Sequence, residues 1–454
     1  MRERMEAALR ASRADYTEIR LEERESTQVV FRGKDLETAS VVLDRGGIVR
    51  CLVKRGGWGI ATFNNLEDLV HRVQQAYEGA CAIQGEPIEL APTLASEDVI
   101  TVPLERDFRG ISVTEKKALA EEYNSIVLQF DPRIVDTQTT YADTFSRVTF
   151  ANSEGAYFEE ERPMVGVSLS AVAREDGNIQ RAFESVSKVA GFEVVMGHHA
   201  LAETVAKRAV DLLSAPRVKG GRYTVICNPR LAGVFAHEAF GHLSEADFVY
   251  ANPQAQEMMV LGRRFGQEFL TIADDGSIPR LRGSHKYDDE GTPTGRTDLI
   301  KNGVLVGRLH SRETAAKMGE QPTGNARATG YRYPPIVRMT NTFIEEGKTP
   351  FEEMIRDIDL GIYACDAFGG QTALENFSFS AAYAYMIRNG QSAEMVRDVV
   401  LSGNLFVTLD HIDAIGNDFQ WIKMGGNCGK GQGGLPVSMG APHIRIHDVL
   451  IGGE

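Results

Sequence analysis

Several things are scarce in this chain, and each scarcity excludes a class of protein. Only 5 of 454 residues are cysteine, at 51, 81, 227, 365 and 428, with no CxxC pair. That spacing gives no disulfide framework and points to a reducing cytoplasm. No run of about 18 apolar residues occurs, so no membrane span is expected. The opening residues Met1 to Arg10 lack the apolar core of a secretion signal and read as an amphipathic helix. Positive charge is in deficit, with 49 Lys and Arg against 63 Asp and Glu for a net −14, which argues against a nucleic-acid partner. No internal repeat or low-complexity segment stands out. What remains, 43% hydrophobic and 25% charged, is the composition of a globular protein. At 454 residues it should form two or three domains.

Strand patterns and helix patterns are mixed along the first half. Tyr16–Glu23, Thr27–Phe31, Gly47–Val53 and Trp58–Phe63 read as a meander of short strands, the last two joined by the turn Lys54-Arg-Gly-Gly57. A helix follows, with Asn65 as its cap and Leu66, Leu69, Val70, Val73 and Tyr77 at helical spacing. Ser112-Val-Thr-Glu115 is a capping box for a second helix to about Gln129. Short strands are expected again between Val135 and Ala173, then a long helix over Val189–Ser214 carrying His198 and His199. The Pro- and Gly-containing segment 214–222 marks the main boundary. It divides an N-terminal α+β domain, 1–215 (with subdomains near 1–130 and 131–215), from a β-rich C-terminal domain, 222–454. In that second domain Tyr223–Cys227 should be a strand, Asn228-Pro229 a helix start, and Asn302-Gly303 a hairpin turn.

The helix expected over about 229–246 carries the most informative residues, His237-Glu-Ala-Phe-Gly-His242. Two imidazoles around a carboxylate are the groups needed to hold a divalent metal and activate its water. In the familiar zinc-peptidase pattern the two His are four apart on one helical face. Here they are five apart, and residues at that spacing point roughly 140° away from each other in an ideal α-helix. The helix must therefore be distorted, by Gly241 or by a π-bulge. A third ligand is needed. Glu245 and Asp247 are the near candidates, and Cys428 the distant one, in a loop with 6 Gly in the 11 residues Met424–Gly434. Asp288-Asp-Glu290 could bind a cation, but reads first as a solvated acidic turn. Thr340-Asn-Thr342 is either an interior strand or a strand that bonds substrate backbone.

These motifs together resemble the TldD/PmbA peptidases. The likeness runs from His237–Asp247 through Asp288–Pro293, Pro322–Asn325 and Arg338–Thr342 to Cys428-Gly-Lys-Gly-Gln432, in that order. The resemblance implies one zinc per chain, held by His237, His242 and Cys428, with Glu238 as general base. Glu245 and Asp247 would then orient the ligands. Independently of the resemblance, Thr340, Asn341 and Thr342 are read as candidates to bond substrate backbone, and Gly426 and Gly429 as candidates to offer an N–H to the oxyanion. The resemblance also implies a dimer enclosing the active site, with peptide or unfolded polypeptide as substrate and a TldE/PmbA-like subunit, or a second copy, as partner. This chain carries the metal motif and so is similar to the TldD side. The expectation is a cytoplasmic α+β zinc metalloprotease whose C-terminal domain bears a distorted HExxxH helix. The alternative is a non-catalytic regulatory or binding protein with a structural zinc.

Overall fold

The chain alternates between stretches that need a partner strand and stretches that need a partner face. A computed structural model describes residues 1–424 and 426–452, the side chain of Ala239 excepted. In the first half the strand segments merge into a single seven-stranded sheet. Its order is Gly57–Phe63, Asp35–Val53, Tyr16–Arg32, Ile134–Asn152, Tyr157–Glu175, and the last of these pairs with both Glu97–Ile100 and Asn178–Lys188. Four of these strands run 17 or 19 residues, so the short strands expected from the sequence are pieces of longer ones. Alternation is lost within them because both faces are covered in places. From Tyr16 to Glu22 every residue is buried, including the polar ones.

Helices cover two stretches of this sheet. Arg2–Arg10 and Leu69–Cys81 pack on Ile19, Leu21, Val49 and Cys51 through Met5, Val73 and Ala76. Val113–Gln129 and His199–Ser214 pack on Val29, Phe31, Tyr141 and Val167. The second helix starts as expected, with Ser112 accepting the Glu115 N–H. The cap of the first is Asp68, not Asn65. The helix expected from Val189 begins only at His199, because Gly197 takes a φ of +75° and breaks it from a short turn at Phe192–Val195.

The second half contains two further seven-stranded sheets. One runs from Val304–Leu305 through Arg296–Lys301, Ile272–Asp275 and Asn341–Ile344 to Gly434–Ala441 and Gln420–Trp421, with Gly426–Gly429 attached to Gly434–Ala441. The other is centred on Gly221–Cys227, between Leu360–Ala373 and Ile444–Gly452. The helix Pro229–Phe235 packs on both. Gly233 lies against Met439 and Gly440 of one sheet, and the Phe235 ring meets Phe377 of the other at 5.5 Å. Asn302 and Gly303 both have positive φ (50° and 77°), the conformation the expected hairpin turn requires.

The acidic turn departs most from expectation. Asp288, Asp289 and Glu290 are buried, not solvated. Asp289 lies between Arg20 (2.8 Å) and Arg162 (2.9 Å) of the first-half sheet. Glu290 meets Arg50 at 3.3 Å and accepts the Arg312 N–H. Asp288 accepts three backbone N–H groups, from Glu290, Thr292 and Ala326. The turn thus locks the two halves of the chain together, and between them lies a cavity of about 1050 Å³.

Candidate metal centre

Local sequence explains how the first two donors arise. The strand Gly221–Cys227 ends at Asn228, whose side chain accepts the Leu231 N–H, and Pro229 occupies the first helical turn. Four buried apolar residues, Leu231, Ala232, Val234 and Phe235, seat this helix between the sheets. Over Ala236–Gly241 it widens into a π turn, then tightens into a 3-10 turn at His242–Ser244. A wider turn advances the chain by about 4.4 residues per revolution, so residues five apart come back towards one face. The two imidazoles accordingly meet, with ring centroids 5.3 Å apart. Gly241 allows close approach, since a Cβ there would lie 2.1 Å from Met339 Sδ.

Cys428 arrives from the strand Gly426–Gly429. One donor atom each from His237, His242 and Cys428 falls within 4.8 Å of the others. His237 is fully buried, and neither ring nitrogen has a hydrogen-bond partner. Burial, then the positive fields of His242, Arg338 and Arg327, hold this imidazole well below its ordinary pKa, so it is neutral. A buried neutral imidazole with two unused nitrogens is the state that binds a metal ion. His242 Nδ1 lies 3.1 Å from Glu245 Oε2, and its Nε2 lies 3.4 Å from Cys428 Sγ. Burial opposes protonation of His242, but the bonds with Cys428 and Glu245 outweigh it and push its pKa up to about 10. The donor set is therefore chemically suited to zinc.

The remaining candidates sort themselves by their partners. Glu238 Oε2 lies 3.8 Å from His242 Nε2, and the carboxylate is partly exposed. Burial raises its pKa, His242 pulls it back, and Glu245 adds to the rise. Glu245 does not reach the donor cluster with an atom of its own. It holds His242 Nδ1 and Lys430 Nζ (3.0 Å), and Lys430 also meets Asp247 at 2.7 Å. Asn427, the neighbour of Cys428, accepts from Arg282 Nη2 through its Oδ1. Lys430 was missed from sequence, although it stands two residues from Cys428.

Thr340, Asn341 and Thr342 are buried and already satisfied. Thr340 and Thr342 donate to Asp274, and Asn341 donates to the Asp275 carbonyl and Ser284. Both edges of the strand Asn341–Ile344 are paired, with Ile272–Asp275 and with Gly434–Ala441. An extended peptide cannot add there, so this is the interior strand that formed the other side of that reading. Gly426 and Gly429 belong to a strand whose only ladder partner among the described residues is Gly434–Ala441. Gly425 of the same loop lies outside the described residues. His198 and His199 bond the Val194 carbonyl and Glu122, and His443 and His447 pair with Asp418 and Asp413.

Comparison with known proteins identifies the family. Profiles of the PmbA/TldA metallopeptidase family match residues 17–83 as domain 1, 106–213 as the central domain and 220–453 as the C-terminal domain. The chain belongs to the PmbA/TldD metallopeptidase family. A metalloprotease of Synechocystis, slr0863, is 46% identical over 98% of this chain and 96% of its own. A protein of Saccharolobus solfataricus named zinc metalloprotease TldD homolog is 29% identical over 97% of each chain. The fold is that of TldE from Thermococcus kodakarensis, at 18% identity and a TM-score of 0.77, covering 100% of both chains.

Proposed function

We propose that this chain is a TldD-like zinc peptidase that hydrolyses peptides or unfolded polypeptides. The observation that carries the reading is the cluster of His237, His242 and Cys428 donors within 4.8 Å, beside a partly exposed Glu238. No fourth His, Cys, Asp or Glu joins that cluster among the described residues. Three protein donors and an open position are the pattern of a catalytic zinc, whereas a structural zinc takes four. Bound there, zinc would acidify a water and polarise a scissile carbonyl.

The chain's own groups supply the rest. The Glu238 carboxylate takes the water's proton and returns it to the leaving amine. Its burial-raised pKa makes it a stronger base for the first transfer, for which it must be ionised. Glu245 fixes the His242 tautomer, and Lys430 and Asp247 hold Glu245 in place. The strand Gly426–Gly429 offers an edge for an extended substrate, and a glycine N–H there would serve a developing oxyanion. A thiolate ligand suits the reducing cytoplasm.

The second subunit in this reading is a TldE-like chain or a copy of this one. The strand Asp35–Val53 speaks for such a contact. It pairs with Gly57–Phe63 only from Gly47 onward, and beyond that Val41, Val42 and Leu43 are 50%, 52% and 77% exposed. An open, apolar sheet edge is what a folded monomer normally avoids.

The test compares the parent with Glu238→Gln for zinc content and hydrolysis of casein or an unfolded peptide, each alone and with a TldE-like subunit. The variant should keep about one zinc per chain and lose at least ~100-fold in rate. Zinc in both and hydrolysis in neither would instead leave a structural zinc in a non-catalytic regulator.

A further inference from the structure

Buried guanidiniums need a carboxylate, because an uncompensated charge away from water is costly. The chain observes this at Arg20 with Asp289, Arg50 with Glu18, Arg208 with Glu184 and Arg312 with Glu154. Two buried arginines break the pattern, and the half-buried Arg282 joins them: among the described residues, Arg282, Arg327 and Arg338 have no carboxylate within ion-pair distance. All three converge on one hairpin. Arg282 Nη2 donates to Asn427 Oδ1 at 2.8 Å, and its Nε has no partner. Arg327, 6% exposed, donates to the Met339 carbonyl at 2.5 Å and the Pro436 carbonyl at 2.8 Å. Arg338 donates to the Cys428 carbonyl, with Nε and Nη1 unpartnered. Asn427 and Pro436 face each other across the hairpin, one residue from Cys428.

Arg338 is sealed in, but Arg282 and Arg327 both line the 1050 Å³ cavity between the two halves of the chain. Asp289, whose field reaches Arg327, is already bound by Arg20 and Arg162. Burial pulls both guanidiniums down to about 10.

We propose that Arg282 and Arg327 form a carboxylate-binding subsite that anchors an anionic group of the substrate beside the metal centre. Building on the peptidase reading above, this names the substrate class as peptides carrying a carboxylate close to the bond that is broken. A strand rises about 3.3 Å per residue, and Asn427 is the residue before Cys428, so the anchored group lies within a few residues of that bond. The carboxylate is either an Asp or Glu side chain or the free C-terminus.

The test uses the zinc-loaded full-length chain with Glu238→Gln, so that binding is read without turnover. Titration calorimetry measures a short Ala- and Ser-rich peptide bearing one Glu, in its free-acid form and as the C-terminal amide, and the same pair with Glu replaced by Gln. The fully neutral peptide should bind roughly tenfold or more weakly than the best anionic form, as loss of charge-assisted hydrogen bonds implies. Whichever single neutralisation causes that loss identifies the source of the carboxylate. Arg282→Gln should flatten the preference. It suits the test because Arg282 makes a single side-chain bond, whereas Arg327→Gln also releases two backbone carbonyls. Equal binding of all four peptides, no binding of any, or a preference that survives Arg282→Gln would overturn the proposal. Hydrolysis of the neutral peptide by the parent reports on the peptidase reading independently. A uniform fall in kcat for charged and neutral peptides in Arg282→Gln would give that residue a transition-state role and also overturn the subsite.

Discussion

Glu245→Gln is the substitution that best separates holding the metal from holding the fold. Glu245 is 1% exposed, and its Oε2 is shared by His242 Nδ1 at 3.1 Å and Lys430 Nζ at 3.0 Å. Holding Nδ1 aims the opposite nitrogen, Nε2, at Cys428 Sγ. A carboxylate behind a ligand imidazole fixes its tautomer and makes it a better donor, and losing such a partner typically weakens metal binding 10- to 100-fold, or about 1.4–2.7 kcal/mol. Glutamine has the same shape and can still accept one hydrogen bond, so the expected loss lies at the low end, about tenfold. Glu245→Ala removes the acceptor altogether and should reach the high end. Lys430 keeps Asp247 in both variants, and Glu245 Oε1 is buried with no partner. The metal-free Gln variant should therefore melt close to the parent. The assay is competition for zinc against a chromophoric chelator, with thermal denaturation of the metal-free chains alongside. A Gln variant that holds zinc as tightly as the parent would refute the orienting role. One that loses zinc only because it has unfolded would show up in the melt.

Two further outcomes follow from the same electrostatics. In the metal-free chain the raised pKa of His242, about 10, keeps the ring protonated at neutral pH, while a ligand ring must be neutral. Zinc uptake at pH 7 should release at least one proton per ion, and affinity should climb as pH rises towards that value. Calorimetry in buffers of different ionisation heat would measure it, and no released proton would contradict the arrangement. Asp289→Asn leaves Arg20 buried without its only carboxylate among the described residues, while Arg162 keeps Glu160 at 2.8 Å, and the orphaned Arg20 should cost about 3–5 kcal/mol in urea denaturation. Burial alone would raise the Asp289 pKa, but Arg20 and Arg162 outweigh it and lower it. Its contribution is thus present above the ordinary carboxylate value of about 3.9 and is lost as pH falls through the lower folded value. A loss under about 1 kcal/mol would mean the turn is not holding the halves together.

How far the sequence can be read depends on how local each signal is. The helix start at Asn228-Pro229, the Ser112 cap and the Asn302-Gly303 turn depend on neighbours a few residues away, and all three are in the structure. The spacing of His237 and His242 demanded a distorted helix, and the π turn over Ala236–Gly241 is one. The long strands were not legible. Glu18, Arg20 and Glu22 alternate as an exposed face would, yet all three are buried under the second half of the chain. Residues 41–43 fail the other way, as three consecutive apolar residues that stay exposed. The acidic turn was misread for a related reason: the arginines that bury it stand 127 to 269 positions earlier in the chain, beyond the reach of any sequence pattern.

The division of labour between the two halves explains why the turn is charged rather than apolar. His237, Glu238, His242 and Cys428 all lie in the second half, and none of them lines the cavity between the halves. That cavity comes as close as Asn427, which precedes Cys428, and Leu435, the cross-strand partner of Cys428. The first-half sheet contributes the opposite wall, including Arg20, Glu22 and Thr144. Buried ion pairs add little net stability over apolar packing, but each one fixes a distance and a direction. Asp289 between Arg20 and Arg162, and Glu290 against Arg50, therefore act chiefly on where the first-half wall stands relative to the strand bearing Cys428. Apolar contact does occur at this seam, where Tyr287 stacks on Phe158 at 4.8 Å, yet stacked rings can slide where salt bridges cannot. The donor cluster depends on the second half alone, whereas the shape of the cavity depends on the seam. Changes at the seam should consequently alter which peptides are accepted before they alter the affinity for zinc.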